Sequence, residues 1–393
     1  METRVIFGED WLKVSSHLPV DLEDIARETR AFVRPRQIRS GEMLLRILLS
    51  YASGNNSLEK TVAAASSRGW AKMSANALHL RLRGSEKFAQ RVFLSLLSRS
   101  TGMSSRVKRR IRIVDGTFLS APGAKTSDFT LHVQYDPVSG HPVSMELDNG
   151  HSGESFRLHS FSPGDLVMGD RAYGKCRGID SVLEQGADVL VRIHPQTIRL
   201  IDAQSKTVKL TSLASQVPKG ASASFQLFLP IPSDGERAGG WATSKAIRIR
   251  PVRVIATYTD KGEILWLLTN LSEEDLSTQD ALDLYRERWQ IELFFKRLKS
   301  ILDLDEVPSR DPTVARPWIY LKMIAAILAL KLEDEVFSPC EAVREKNLKP
   351  VEKDHRRTSH SPSRSRRTHP HHHPTDKTQS AQAVLLLEGR LVH

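Results

Sequence analysis

Asp165-Leu-Val-Met-Gly-Asp170-Arg-Ala-Tyr-Gly174 reads as a short buried strand, introduced by Pro163-Gly164, that ends in a carboxylate. Upstream, Ile111-Arg-Ile-Val-Asp115 ends the same way and is followed by Gly116. Gly174 to Gln185 reads as a helix and Ala187 to Ile193 as a further strand. Phe129-Thr-Leu-His-Val-Gln-Tyr135 alternates as a strand and closes on the turn Asp136-Pro-Val-Ser-Gly140. Pro142 to Leu147 is its antiparallel partner. Strands mixed with helices in this order predict an α/β sheet with some antiparallel pairing.

Residues 1–105 read as a helical, basic segment. Ser57 is the expected N-cap of one helix, Arg68-Gly69 a turn, and Ser74 to Arg83 a second helix ending at Gly84. Two short helices about a glycine turn, the second bearing Arg81 and Arg83, fit a helix-turn-helix that reads DNA. Residues 106–193 form the first part of the core, 194–262 a β-rich insertion of short strands, and 263–335 the rest of the core. Residues 350–393 are a basic Ser/Arg/Pro/His tail, including His371, His372 and His373, that cannot bury enough apolar surface to fold alone.

The chain has 393 residues, 40% of them hydrophobic, enough for two or three domains. Its net charge of +11 is segregated: residues 1–114 hold 21 Lys and Arg against 10 Asp and Glu, whereas residues 115–350 net −4. A basic front on an acidic middle suggests a polyanion-binding module ahead of a metal-dependent centre. Two cysteines, Cys176 and Cys340, exclude a disulfide framework and a Cys-rich zinc module. The apolar run Met323 to Leu330 is too short to cross a bilayer and no secretion signal is apparent, so a cytoplasmic, nucleoid-associated protein is expected.

Tyr285-Arg-Glu-Arg-Trp-Gln-Ile-Glu-Leu-Phe-Phe-Lys-Arg-Leu-Lys299 reads as one helix. At roughly 100° per residue, Tyr285, Arg288, Glu292 and Lys299 share an arc of about 60°, with Trp289 beside it. A carboxylate lined up with two cations suits a surface that holds a metal and nucleic-acid phosphates, although a solvated helix with i,i+4 ion pairs shows the same residues. Asp115 and Asp170, at strand ends where ligands approach a sheet, would join Glu292 as a hard oxygen site for Mg²⁺ or Mn²⁺. Asp136, Asp165 and Glu154 compete for that role; Asp136 and Asp165 lie in turn-like settings.

Ile113-Val-Asp115-Gly-Thr, Gly164 to Gly174 and Tyr285-x2-Arg288-x3-Glu292-x6-Lys299 together resemble the DDE transposases of bacterial insertion sequences, in the cut-and-paste branch with a Tyr-Arg-Glu-Lys signature. The resemblance spans about residues 30–335. It implies an RNase H-like catalytic core interrupted by the β-rich insertion, which lies within the gap of 122 positions from Asp170 to Glu292. Asp115, Asp170 and Glu292 would be catalytic metal ligands. Tyr285, Arg288 and Lys299 would contact phosphates of double-stranded DNA, at the element's terminal inverted repeats and the target. Trp266 is the better candidate than Trp289 for stacking on a flipped base, and a core position is its plainer role. The resemblance implies a homodimer assembled on DNA, strand cleavage at the ends and 3′-hydroxyl transfer. The unusual tail leaves an end-binding copy that does not cut as the alternative. A nuclease of branched DNA would explain the carboxylates but not the Tyr-Arg-Glu-Lys row.

Overall fold

In the computed structural model the strands follow in chain order as β1 (Arg110–Leu119), β2 (Phe129–Asp136), β3 (His141–Asp148), β4 (Asp165–Gly169), β5 (Asp188–Arg192), β6 (Leu200–Ile201), β7 (Thr207–Val208), β8 (Ser222–Pro232), β9 (Ala246–Tyr258) and β10 (Ile264–Thr269). The structure describes residues 11–337, except 55, 98–103, 105–106, 122, 125–126, 151–152, 233–245 and 305–306. The basic tail, Cys340 and the His371–His373 run therefore lie outside the described residues.

Among the described residues the strands make one mixed sheet, ordered β3-β2-β1-β4-β5-β10-β9-β8-β6-β7. β1, β4 and β5 are parallel neighbours, and every other pairing is antiparallel. The α/β expectation thus holds. The strand-rich stretch after His194 continues the same sheet through β9 and β10. Each central strand feeds both faces. Ile111, Ile113, Leu166, Met168 and Leu190 enter one core, while Val114, Val167, Val189 and Val191 enter the other, as a two-residue period requires.

Helices cover the first face. α1 (Trp11–Ser15), α2 (Leu22–Glu28), α3 (Gly41–Ser53), α4 (Leu58–Ser67), α5 (Ala75–Arg83) and α6 (Glu86–Leu96) precede the sheet. The Ser57 cap forms as expected, accepting from the amide of Lys60, and Ser40 and Ser74 cap their helices in the same way, accepting from the amides of Met43 and Ala77. α7 (Cys176–Glu184) lies on the second face and α8 (Leu210–Leu213) is a single turn. α9 (Thr278–Glu287), α10 (Trp289–Leu302) and α11 (Pro312–Phe337) return to the first core. α11 is apolar and long enough to cross a membrane, yet 78% of that stretch is buried, with Ile319, Leu321, Ile324 and Leu328 in the same core as α3 and α6.

Two competing aspartates are structural. Asp136 is fully buried, accepts from the amide of Val138 at 2.8 Å and pairs with Arg112 at 3.3 Å. Asp165 opens β4 and holds Arg110 at 2.8 Å. Beside them, His159 is buried against Phe161 and Tyr173, with Nδ1 at 3.4 Å from Gln134 Nε2. Burial, and secondarily His132, pushes its pKa down to about 3. The unfolded chain takes up that proton below the ordinary value of about 6.5, so the stability is present above that pH and lost as pH falls towards 3. Between pH 7 and pH 5 the loss from this group is about 2 kcal/mol. In urea unfolding at the two pH values, His159→Gln should show a fall in stability smaller by that amount.

Candidate active site

The parallel pairing of β1 with β4 stops at Val114 opposite Gly169, and the next residues are Asp115 and Asp170. Contrary to the sequence reading, β1 does not end at Asp115. It runs on to Leu119 because β2 continues to pair with it, with Asp115 opposite Val133. Asp115 therefore sits inside a strand but at the mouth where its parallel partner leaves. Alternation directs it to the helical face, with Ile111 and Ile113.

Close approach explains the glycines of the Asp170 motif. A Cβ on Gly169 would lie 2.8 Å from the Phe156 ring and 2.9 Å from Tyr173 Cβ, and one on Gly174 would lie 2.5 Å from the Arg192 carbonyl. The chain thus turns tightly around Phe156 and delivers Asp170 beside Asp115. Each aspartate uses one oxygen to fix itself. Asp115 Oδ1 accepts from Gly116 N at 2.8 Å, and Asp170 Oδ1 accepts from Ala172 N at 2.7 Å. That is turn chemistry, and it leaves the second oxygens for other work.

The opposing wall is the junction of α9 and α10. The single helix expected over Tyr285–Lys299 is broken at Arg288, where Arg288 N bonds Tyr285 O at 3.2 Å and Ile291 N bonds Arg288 O at 3.3 Å. These are tighter three-residue steps, and Arg288 keeps helical dihedrals, so the row is interrupted without a glycine or proline. Tyr285 is buried and the guanidinium of Arg288 lies over its ring at 5.8 Å. Arg288 Nη2 donates to Glu292 Oε1 at 2.6 Å, and its Nη1 stands 4.0 Å from Asp115 Oδ2. Asp115, Arg288 and Glu292 thus form a chain of alternating charge, with Tyr285 beneath it.

Burial first, then the neighbouring negative charges of Asp170 and Glu154, push the Asp115 carboxyl up to about 7, against the pull of the Gly116 amide and Arg288. Burial pushes the Tyr285 phenol up to about 12, opposed by Arg288 and Arg192. Asp115, Glu154 and Asp170 all add to burial in raising the Tyr173 phenol. The hydroxyls of Tyr173 and Tyr285 and Nε of Arg288 are buried without a hydrogen-bond partner among the described residues. Tyr173 lies inside the Asp170 motif, but nothing in its spacing signals this role.

The remaining expected residues separate. Lys299 is part-buried two turns beyond Glu292, and among the described residues no hydrogen bond or ion pair joins it to Asp115, Asp170 or Glu292. Trp289 is 53% exposed beside Arg288, so its ring is open to solvent. Trp266 is only 4% exposed and packs against Phe225 at 6.5 Å, so it is a core residue of the sheet's other face and not a base-stacking one. Its position on β10 puts it in register with Leu268, which also points into that core. Arg83 is engaged at the start of α11, with Nε donating to Thr313 Oγ1 at 3.0 Å and Nη2 3.6 Å from Asp311. Arg81 is part-buried on α5.

Among the described residues no group of three or more His, Cys, Asp and Glu side chains is arranged to hold a metal ion. The guanidinium of Arg288 stands between Asp115 and Glu292 instead. The chemistry of the donors nevertheless fits a hard divalent cation. They are carboxylate oxygens under mutual negative charge, with buried hydroxyls alongside that lack partners.

The chain is similar to proteins of known family. Residues 106–328 match the family model described as transposase DDE domain. The transposase for insertion sequence element IS421 of Escherichia coli is 29% identical over 356 residues, covering 84% of this chain and 95% of the relative. The transposase for insertion sequence element IS231F of Bacillus thuringiensis subsp. israelensis is 23% identical over 364 residues, covering 79% and 76%. A piggyBac transposase chain from a synaptic complex with hairpin DNA aligns with a TM-score of 0.44 and 9% identity over 89% of this chain and 82% of its own, too slight a likeness to argue from. The matched span runs from β1 through most of α11 and so contains Asp115, Asp170 and the Arg288–Glu292 junction: the chain belongs to the DDE transposases of bacterial insertion sequences.

Proposed function

We propose that this chain cleaves DNA strands at the terminal inverted repeats of its element and transfers the freed 3′-hydroxyl into target DNA, using an RNase H-like core. The observation that carries the reading is the convergence of Asp115, Asp170, Arg288 and Glu292 where the parallel pairing of β1 and β4 ends. Mg²⁺ or Mn²⁺ held by Asp115, Asp170 and Glu292 would supply charge stabilisation for an in-line phosphoryl displacement. Glu292 is well placed to change partners, because its side chain is 57% exposed and held by one i,i+4 ion pair worth only a few tenths of a kcal/mol. Arg288, once released, offers a planar fork to a phosphate, and Lys299 a point charge further along α10. Tyr285 supports the Arg288 guanidinium from below. The exposed Trp289 ring is available for contact with a nucleotide base. The homodimer that the family resemblance implies belongs to the same reading, and mass measurement of the end-bound complex tests it.

A second reading is favoured by one observation: the Arg288 guanidinium occupies the gap between Asp115 and Glu292. A copy locked in that arrangement would bind ends without cutting. Incubation with Mg²⁺ and DNA carrying the inverted repeats separates the two. Nicking at the repeat boundary that EDTA abolishes, with the footprint retained in EDTA, is the expected result. A footprint with no nicking under any divalent ion selects the second reading, and cutting of unrelated branched DNA defeats both.

A further inference from the structure

We propose that the closed loop between α2 and α3, residues 29–40, holds the phosphate backbone of duplex DNA without reading its sequence. The inference rests on the DNA-acting reading above and names the element that grips the duplex. The basic front of the chain needs a place in the fold, and α5, expected to carry it, is largely engaged. Arg83 is tied to Thr313 and Asp311, and Arg81 is part-buried. Residues 29–40 hold Arg30, Arg34, Arg36 and Arg39 and no Asp or Glu. All four arginines are exposed.

The loop has a fixed shape. Its two ends meet, since a Cβ on Gly41 would lie 2.6 Å from Ala26 Cβ. Glu23 of α2 clasps the base, accepting from the amides of Gly41 at 2.9 Å and Glu42 at 3.0 Å, two of the orphan donors that open α3. Phe32 and Ile38 are buried in the first core and pin the loop at two points. Phe32 N donates to Ala26 O at 3.0 Å, and Arg36 N to Ile38 O at 3.1 Å. An irregular surface segment closed at its base and packed on its own side chains is an Ω-loop. Arg30 follows the last residue of α2 in the left-handed conformation, φ 58°, where glycine is the usual occupant. A residue chosen for helix termination alone would not be an arginine.

The charges on this loop are left uncompensated. Among the described residues no ion pair or side-chain hydrogen bond holds the guanidinium of Arg30, Arg34, Arg36 or Arg39. The carboxylates that flank the loop are engaged elsewhere: Glu23 by the amides of α3, Glu28 by Arg91 and Glu42 by Trp11 Nε1. A face that serves solubility alone mixes charges of both signs. A rigid loop of one sign, with its nearest countercharges tied up, fits a polyanion. Each guanidinium presents a planar fork that matches two phosphate oxygens. Phosphate contacts fix the position of a duplex and carry no sequence information. Arginine can also read guanine, so the test below uses two sequences.

The test is fluorescence anisotropy of the full chain in EDTA, with a duplex carrying the terminal inverted repeat and a duplex of unrelated sequence, across a series of salt concentrations. Wild type is compared with a triple variant, Arg34→Gln, Arg36→Gln and Arg39→Gln, and with the same three positions changed to Lys. Each phosphate contact contributes about 0.9 to the slope of log affinity against log salt, so the Gln variant should lose about 2–3 from that slope. Its affinity should fall about a hundredfold, equally for both duplexes. The Lys variant keeps the charge and should keep most of the slope. An unchanged slope in the Gln variant overturns the proposal. So does a loss confined to the inverted-repeat duplex, which would make the loop a reader of bases. Arg81→Gln tests the rival placement on α5: a slope lost there and kept in the triple variant moves the surface to α5 and overturns the proposal. Wild type that binds neither duplex defeats the DNA-acting reading itself. The thermal midpoint of the Gln variant should equal or exceed that of wild type, because crowded like charges are gone; a large drop assigns the arginines to the fold and overturns the proposal as well.

Discussion

Glu292→Gln is expected to lower strand cleavage by about three orders of magnitude or more while leaving affinity for end DNA within a few-fold of wild type. The substitution keeps the size of the side chain and removes its charge. What it breaks in the resting protein is one ion pair to Arg288 on a side chain more than half exposed, so folding stability should change by no more than about 0.5 kcal/mol. Arg288 loses a competitor and stays free to meet phosphate, which is why binding should persist. The loss falls on chemistry because a neutral amide is a poor ligand for a hard divalent ion. A nicking assay, a gel-shift titration and urea unfolding on one preparation separate these effects. Cleavage within tenfold of wild type would remove Glu292 from the centre.

Much of this site is legible from residues close together in sequence, and the rest depends on contacts between distant ones. Ser57 and Ser74 announce helix starts because capping is a three-residue affair, and both caps form. Asp115 and Asp170 stand out because an apolar run followed by a carboxylate and a glycine is visible in one line of sequence. That β1 continues past Asp115 is not visible there, since only pairing with β2 sustains it through Gly116. The break at Arg288 is equally hidden. No helix breaker marks it, and Arg288 itself keeps helical dihedrals. Trp266 takes the plainer of its two expected roles, because the period of β10 sends it into the core and away from the stacking that its place near the motif suggested.

Arg253→Met is expected to destabilise the protein by about 3–5 kcal/mol, the largest stability effect of any single substitution considered for this chain. Arg253 lies on β9 and is only 1% exposed, yet it ends among polar groups and not in the apolar core. Its Nε donates to the Leu271 carbonyl at 3.0 Å, Nη1 to Thr278 Oγ1 at 3.2 Å and to Glu273, and Nη2 to the Ser272 carbonyl at 3.3 Å and to the Leu276 carbonyl. One planar guanidinium thus satisfies the loop that carries the chain from β10 into α9. Methionine fills much of the volume but leaves buried carbonyl oxygens without donors, and each such loss costs about 1–3 kcal/mol. Lysine keeps the charge and lacks the fork, so Arg253→Lys should recover only part of the stability. The consequence reaches the active site because α9 sets the position of Tyr285 and Arg288, and through them of Glu292. Cleavage by Arg253→Met should therefore fall even at temperatures where the chain is folded, whereas Mn²⁺ binding at Asp115 and Asp170, which β1 and β4 position, should fall much less. Urea unfolding checks the first expectation, and nicking and Mn²⁺ titration well below the unfolding midpoint check the second. A cost below about 1 kcal/mol would show that the loop before α9 keeps its shape without the clasp.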